Sequence, residues 1–213
     1  MIIAVDGPTA SGKGTIAKAL AAHFGLPHLD TGLLYRAVGV TTVQLGGDPD
    51  HPDEALAGCV FDEALLADEY LRSETAGGLA SRASRHPVVR AALLERQRSF
   101  ASQPRGAVLD GRDIGTVIAP QADAKLFITA SVAARAGRRL NEMRARGENV
   151  TIEEIAADLA ARDARDSQRA AAPLKPAADA LLLDTSDLTI GQAVQRAIAL
   201  VNGRTEGGSS ART

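Results

Sequence analysis

The run Gly7, Pro8, Thr9, Ala10, Ser11, Gly12, Lys13, Gly14 and Thr15 has the residue types that hold phosphate. Glycines let backbone N–H groups converge on phosphate oxygens, and Lys13 carries a charge on a stem long enough to reach the β and γ phosphates of a nucleoside triphosphate. An apolar stretch, Met1 to Val5, leads in, and an Ala-rich segment that favours helix leads out. A bound anion would then sit at the positive end of a helix. The hydroxyl of Thr15 arrives one residue later than in the GxxxxGK[ST] pattern, because Gly14 follows the lysine. An ordinary Gly-rich strand-to-helix turn is the bland alternative.

Other side chains suit the same chemistry. Asp110, Gly111, Arg112 and Asp113 follow an apolar run directly, so their charges emerge at a strand end, where one carboxylate could hold Mg²⁺ or its waters. Alone, the string reads as a polar turn; beside a phosphate loop the functional reading gains. Arg162, Arg165, Asp166 and Arg169 stand at helical spacing and form a charged stripe. Its bland reading is a solvated face with Arg162 paired to Asp166, yet three guanidiniums around one carboxylate leave positive charge for a phosphate-rich ligand. Thr31, Tyr35 and Arg36 bring a hydroxyl, a phenol and a guanidinium close after Asp30. No Ser/His/Asp or Cys/His arrangement offers a nucleophile, and transfer to an acceptor phosphate needs none, because its oxygen is already anionic.

The elements that must position these residues alternate. Ile2 to Val5, a short run at His28 to Asp30, Ala107 to Leu109, Lys125 to Thr129 and Ala180 to Leu183 read as strands. Thr15 to Phe24, Leu33 to Leu45, Pro87 to Phe100, Ser131 to Arg146, a long segment from Thr151 to about Ala171, and Thr189 to Val201 read as helices. Thr151 with Glu154 three residues on forms a capping box. Residues 46–78, rich in Gly, Pro and Asp, read as an insertion or small subdomain, and residues 203–213 as a disordered tail. Strands alternating with helices imply an α/β fold, a parallel sheet covered on both faces with ligands beyond the carboxyl ends of its strands. Asp6, Asp30 and Asp110 all fall at such ends, which points to a single site.

The whole chain narrows the classes. With 213 residues, 45% of them hydrophobic, it can bury a full core as one domain. A formal net charge of −2 and 3% aromatics offer neither a basic field nor stacking platforms for nucleic acid. The single cysteine, Cys59, excludes an internal disulfide and a multi-thiolate zinc site, and no dedicated metal-ligand set is found. No apolar run approaches the ~18 residues that span a bilayer, and the first fifteen residues read as a folded motif rather than a cleavable signal. A cytoplasmic monomer acting on small molecules is expected, with no nucleic acid or membrane partner.

GPTASGKGT, DTGLLYR, DGRDIGTVIAP and RDARDSQRAAAPLKPAADALLLDT occur in an order and spacing that resemble the bacterial cytidylate kinase family, over about residues 1–202. The GKGT form is itself more similar to nucleoside monophosphate kinases than to GTPases or motor ATPases. The resemblance implies a P-loop kinase domain with a five-stranded parallel sheet, a monophosphate-binding region at about 31–100 and an arginine-bearing lid at about 140–165. It implies transfer from Mg-ATP to CMP or dCMP, with Ser81, Arg90 and Asp113 facing the cytosine. Thr31, Arg36 and Arg112 would lie near the acceptor phosphate, and Arg162, Asp166 and Arg169 would serve ribose and phosphate; Tyr35, Asp110 and Gly111 complete the expected substrate set. Lys13, Arg112, Arg162 and Arg169 are the expected catalytic cations, with Gly7 to Thr15 holding the donor. The stretch between Arg36 and Ser81 is shorter than in family members that carry a small antiparallel sheet there, and a hairpin is expected instead. On the residues alone, a kinase of another small metabolite and a nucleotide-dependent switch remain, although the guanine-reading NKxD string is absent.

Overall fold

The computed structural model describes residues 1–209. Strands β1 (Ile2–Asp6), β2 (His28–Asp30), β3 (Ala107–Gly111), β4 (Ala124–Thr129) and β5 (Leu181–Asp184) form a five-stranded parallel sheet in the order β2-β3-β1-β4-β5. Alternation along the central strand sorts its side chains between two layers. Ile3 and Val5 pack with Ile16, Ala17 and Leu20 of helix α1 (Lys13–Phe24) and with Ala193, Ala197 and Val201 of α8 (Ile190–Ser209). Ala4 faces the opposite layer, with Leu109, Ile114, Ile118 and Ala101, the last from α5 (Pro87–Ala101). Covering both faces leaves the carboxyl ends as the open rim. Register sets Asp6 beside Gly111 and Asp30 beside Asp110, so the loops that follow these strands emerge level with one another.

The insertion is helical, and the expected hairpin does not form: among the described residues no strand lies between β2 and β3. After α2 (Thr31–Gln44) the chain makes α3 (Pro52–Ala57), two short 3-10 turns at Glu63–Ala67 and Glu69–Arg72, and α4 (Glu74–Ala83). Pro52 stands at the first turn of α3, where its missing N–H costs nothing. Asp62, Asp68 and Ser73 each accept a backbone N–H two or three residues ahead, so the two 3-10 turns and α4 each open on a side chain that starts a turn. Gly39 lets α2 and α4 touch almost backbone to backbone, since a β-carbon there would lie 2.7 Å from Leu79 Cβ. That contact brings α4 to the rim.

Two helix ends also differ from expectation. Helix α6 (Val132–Ala145) is followed by α7 (Ile152–Gln168), which begins at the anticipated Thr151–Glu154 capping box but stops three residues early. Arg169 turns to extended geometry, Ala172 takes φ +51°, and the Leu174 N–H donates to the Asp166 carbonyl. At the other end of the chain, α8 continues through the Gly-rich run to Ser209, so residues 203–209 are helical rather than an unstructured tail. The apolar stripe Ala193, Ala197 and Val201 anchors the helix on the core, and turns added to a docked helix no longer bear a nucleation cost. Residues 210–213 of the expected tail lie outside the described residues. No helix among the described residues is long and apolar enough to cross a membrane.

Candidate active site

β1 runs into the Gly7–Thr15 loop, and the loop into α1. Gly12, the residue before the helix, sits at φ +87°, and Ala10 at φ +60°. A left-handed alanine is strained, which marks a loop whose shape is held by its surroundings. At Gly7 a side chain would run into the Ile128 carbonyl oxygen, so glycine there seats the loop on β4. No side chain caps α1, and its first N–H groups face the rim as an anion site. Lys13 donates only a long 3.4 Å contact to the Pro8 carbonyl; burial, then the charge of Arg112, lowers its ammonium to about 8.

Two cavities meet at this loop. The smaller, about 230 Å³, lies over the ends of β1, β2 and β3, and the larger, about 530 Å³, lies between the loop, α6 and the start of α8. Ala10, Lys13, Gly14, Asp30 and Arg139 line both. Thr31, Tyr35, Arg36, Ser81, Arg90, Asp110, Gly111, Arg112, Asp113, Arg162, Asp166 and Arg169 all line the smaller one, so residues chosen from distant motifs share a single cavity. Of the loop, Thr9 reaches the smaller cavity and Ser11, Gly12 and Thr15 the larger, while Gly7 and Pro8 line neither. Seven cationic side chains and four carboxylates line the smaller cavity, a balance that favours an anionic ligand.

The carboxylates are distributed so that each fixes a neighbour. Asp113 and Arg90 form a buried ion pair, and the Arg90 guanidinium lies 5.5 Å over the Tyr35 ring. An acceptor oxygen therefore stands beside a donor N–H on a wall backed by an aromatic face. Asp166 accepts from Arg112 Nε at 2.7 Å, and Arg112 Nη2 donates to Thr9 Oγ1 at 2.7 Å, which ties α7 through the DGRD turn to the phosphate loop. Burial pushes Asp166 upward, yet Arg112, with Arg169 and Lys13 beside it, more than offsets this and holds the carboxyl below its ordinary range. The stripe on α7 is solvated only in part: Arg165 is exposed, but Arg162 and Asp166 are 6% and 7% exposed. These two do not pair, since Arg162 bonds Asp158 and Glu74. Arg169 comes from the turn beyond α7, not from the helix face, its Nε donating to the Ala172 carbonyl.

Several expected contacts are already engaged. Thr31 Oγ1 donates to the Asp110 carbonyl at 2.8 Å, and Asp110 Oδ1 meets His28 Nε2 at 2.7 Å. Arg36 donates to the carbonyls of Leu71 and Ser73 at 2.6 and 2.9 Å, and Ser81 Oγ accepts from Arg165 Nε at 3.1 Å. The basic α6 splits by face. Arg135 is buried against Asp163 and the Thr9 carbonyl, and Arg138 is bonded to Thr185, whereas Arg139 faces both cavities. Arg139 and Arg162 share the carboxylate of Glu74 on α4. Sequence reasoning did not single out Arg139 or Glu74. Arg139 lies in the basic stretch from Arg135 to Arg165 expected to supply lid arginines, but nothing in one dimension sets it apart from its neighbours there, and Glu74 opens a helix hidden in the insertion and carried no such signal. Asp6 ends β1 as expected but is buried beneath the site rather than in it.

Among the described residues no cluster of three or more potential metal ligands occurs. What the rim does present is a pair of adjacent carboxylates, Asp30 and Asp110, with Asp110 Oδ2 3.7 Å from where a β-carbon on Gly14 would stand. Mg²⁺ keeps most of its waters and is commonly held by one or two carboxylates together with substrate phosphates. This donor set fits an ion of that kind.

A parallel sheet whose central strand feeds a lysine-bearing phosphate loop, with a second anion-suited cavity beside it, defines a P-loop kinase of the nucleoside monophosphate kinase type. The family model described as Cytidylate kinase matches residues 3–203, and the chain belongs to that family. It is 56% identical over 207 residues to the cytidylate kinase of Xanthobacter autotrophicus, covering 97% of this chain and all of that one. It is 57% identical over 199 residues to the cytidylate kinase of a Cereibacter sphaeroides strain, covering 93% and 94% of the two chains. Among solved structures, an uncharacterized protein from Eubacterium ventriosum shares the fold, with a TM-score of 0.55 at 15% identity over 95% of this chain and 98% of that one.

Proposed function

We propose that this chain transfers the γ-phosphoryl group of Mg-ATP to CMP or dCMP, giving ADP and CDP or dCDP. The observation that carries this reading is the Arg90–Asp113 pair set on one wall of the cavity that opens onto Lys13. Asp113 accepts from the N4 amino group of cytosine, and Arg90 donates to N3 or O2. Uracil presents a carbonyl where cytosine presents the amine, and that oxygen meets a carboxylate. Ser81 completes the base wall, and Tyr35 supports it from behind.

The acceptor phosphate lies among Thr31, Arg36 and Arg112, with Arg162, Asp166 and Arg169 serving ribose and phosphate. Gly7 to Thr15 hold the donor, their amides and Lys13 on its phosphates. An oxygen of the acceptor phosphate forms the new bond to the γ phosphorus as the bond from that phosphorus to the β-bridging oxygen breaks. No base is needed, so the protein's task is alignment and charge neutralisation. Lys13, Arg112, Arg162 and Arg169 supply that charge. Asp30 and Asp110 would hold Mg²⁺ together with the phosphates of ATP, and the ion would supply further charge neutralisation there. The hairpin of α6 and α7 acts as a lid, bringing Arg139 between donor and acceptor and shielding the site from water.

Analysis of a reaction containing ATP, Mg²⁺ and CMP tests the reading: CDP and ADP form in equal amounts. ADP without CDP, the mark of a simple ATPase, overturns it. A pH profile tests the role of Lys13. Because burial lowers it to about 8, kcat/KM for ATP, which reports the free enzyme, falls as pH rises through that value. The ammonium of the loaded enzyme is held by phosphate charge, so kcat stays level across the same window. A kcat/KM for ATP that is level to about pH 9.5 contradicts this role.

A further inference from the structure

Asp6 is the buried carboxylate at a strand end that the mechanism above does not use. It is 4% exposed, and its oxygens accept two successive backbone N–H groups, Oδ1 from Ile114 at 2.8 Å and Oδ2 from Gly115 at 2.8 Å. Its own backbone lies in register with Gly111. The chain therefore leaves β3 beside Asp6, rises through Arg112 and Asp113, and returns to the Asp6 side chain in a single π-type turn, Ile114–Ile118. Arg112 and Asp113 are the crest of a turn fastened at both feet to one residue. Burial raises the Asp6 carboxyl to about 6 while the two N–H groups pull the other way, so at neutral pH an anion is held there chiefly by amides.

We propose that Asp6 is a positioning residue for acceptor recognition: its carboxylate sets the height and direction of the Arg112–Asp113 turn, and through it the Arg90–Asp113 pair that meets the base. The proposal rests on the cytidylate kinase reading. Asp6 touches no substrate and acts through Asp113. It also precedes Gly7, so the donor loop and the base-reading turn start from a common anchor, and the Arg112–Thr9 hydrogen bond closes the same connection above. A shift of the turn is then felt at the acceptor before it is felt at the donor, because Lys13 belongs to α1 and the turn does not.

The test uses the full chain with Asp6→Asn. An asparagine accepts through one oxygen and turns N–H donors toward the other amide, so one foot of the turn is released with almost no change in volume. The expected result is a roughly tenfold rise in KM for CMP, a narrower ratio of kcat/KM between CMP and UMP, and a KM for ATP within about twofold of the parent. In an Asp113→Ala background, Asp6→Asn adds no further narrowing, since the residue it positions is gone. A folded Asp6→Asn protein with unchanged CMP KM and CMP/UMP ratio overturns the proposal. So does an equal rise in KM for ATP and CMP, or full additivity in the cycle. Should Asp6→Asn fail to fold, Gly115→Ala decides. Its added methyl meets Lys125 Cδ at 3.2 Å and Asp6 Oδ2 at 3.4 Å, and the same narrowing supports the proposal while an unchanged ratio overturns it. The parent protein separates the two levels of failure. No CDP from CMP in the parent refutes the functional reading, whereas a CMP-preferring parent whose variants keep its ratio refutes only the role of Asp6.

Discussion

Replacing Lys13 with alanine lowers phosphoryl transfer about 10³-fold with every acceptor, and the protein stays folded. The size of the loss follows from position. Lys13 lines both cavities, so its charge acts on the phosphate in transit, where stabilisation appears in the rate and not only in binding. The fold survives because the side chain does little for it: its single hydrogen bond, to the Pro8 carbonyl, is 3.4 Å long, and its burial disfavours the charge it carries. Rates with CMP and UMP should fall by similar factors, and the melting temperature should hold or rise slightly. Activity within about tenfold of the parent would sink the donor-site assignment.

Asp113→Ala produces the opposite pattern. A buried guanidinium, Arg90, is left without its partner, and the N4 amino group of the base without its acceptor. Losing a hydrogen bond to a charged group costs about 1.5–3 kcal/mol, so kcat/KM for CMP should fall on the order of 10²-fold. ATP binding, measured by equilibrium titration, should change little, because Asp113 lines only the smaller cavity. UMP never had a favourable contact with that carboxylate and should lose less, which narrows the gap between the two acceptors. An undiminished CMP rate contradicts the role given to Asp113.

The fold was legible where local chemistry and tertiary context agree. The five strands are short apolar runs ended by turn residues, and each falls within a few residues of its expected place. The capping box at Thr151 shows in the sequence because both its partners lie within four residues. Residues 46–83 were harder to read. Their helices are short and have no long periodic face, and they are fixed by single capping side chains such as Asp62 and Ser73 and by the Gly39 contact across α2 and α4.

The candidate site divides in the same way. Arg112 and Asp113 stood out because they follow a strand, and the stripe on α7 because of its spacing. That spacing did not reveal that Arg162 bonds Glu74, that Asp166 bonds Arg112, or that Arg169 lies past the helix end, since each depends on partners 54 to 88 residues away or on where the helix stops. Arg139 emerges from a crowd of arginines only when packing sends Arg135 to Asp163 and Arg138 to Thr185. Asp6 reads in one dimension as the last residue of a strand. Only the fold shows that two amides more than a hundred residues away close on it.

The most direct measurement is the rate of ADP formation with equal concentrations of CMP, dCMP, UMP, AMP and GMP, with ATP and Mg²⁺ held constant. The Arg90–Asp113 wall predicts kcat/KM highest for CMP or dCMP, with UMP well below and the purine monophosphates lower still. Comparable rates with AMP, GMP and CMP would contradict it.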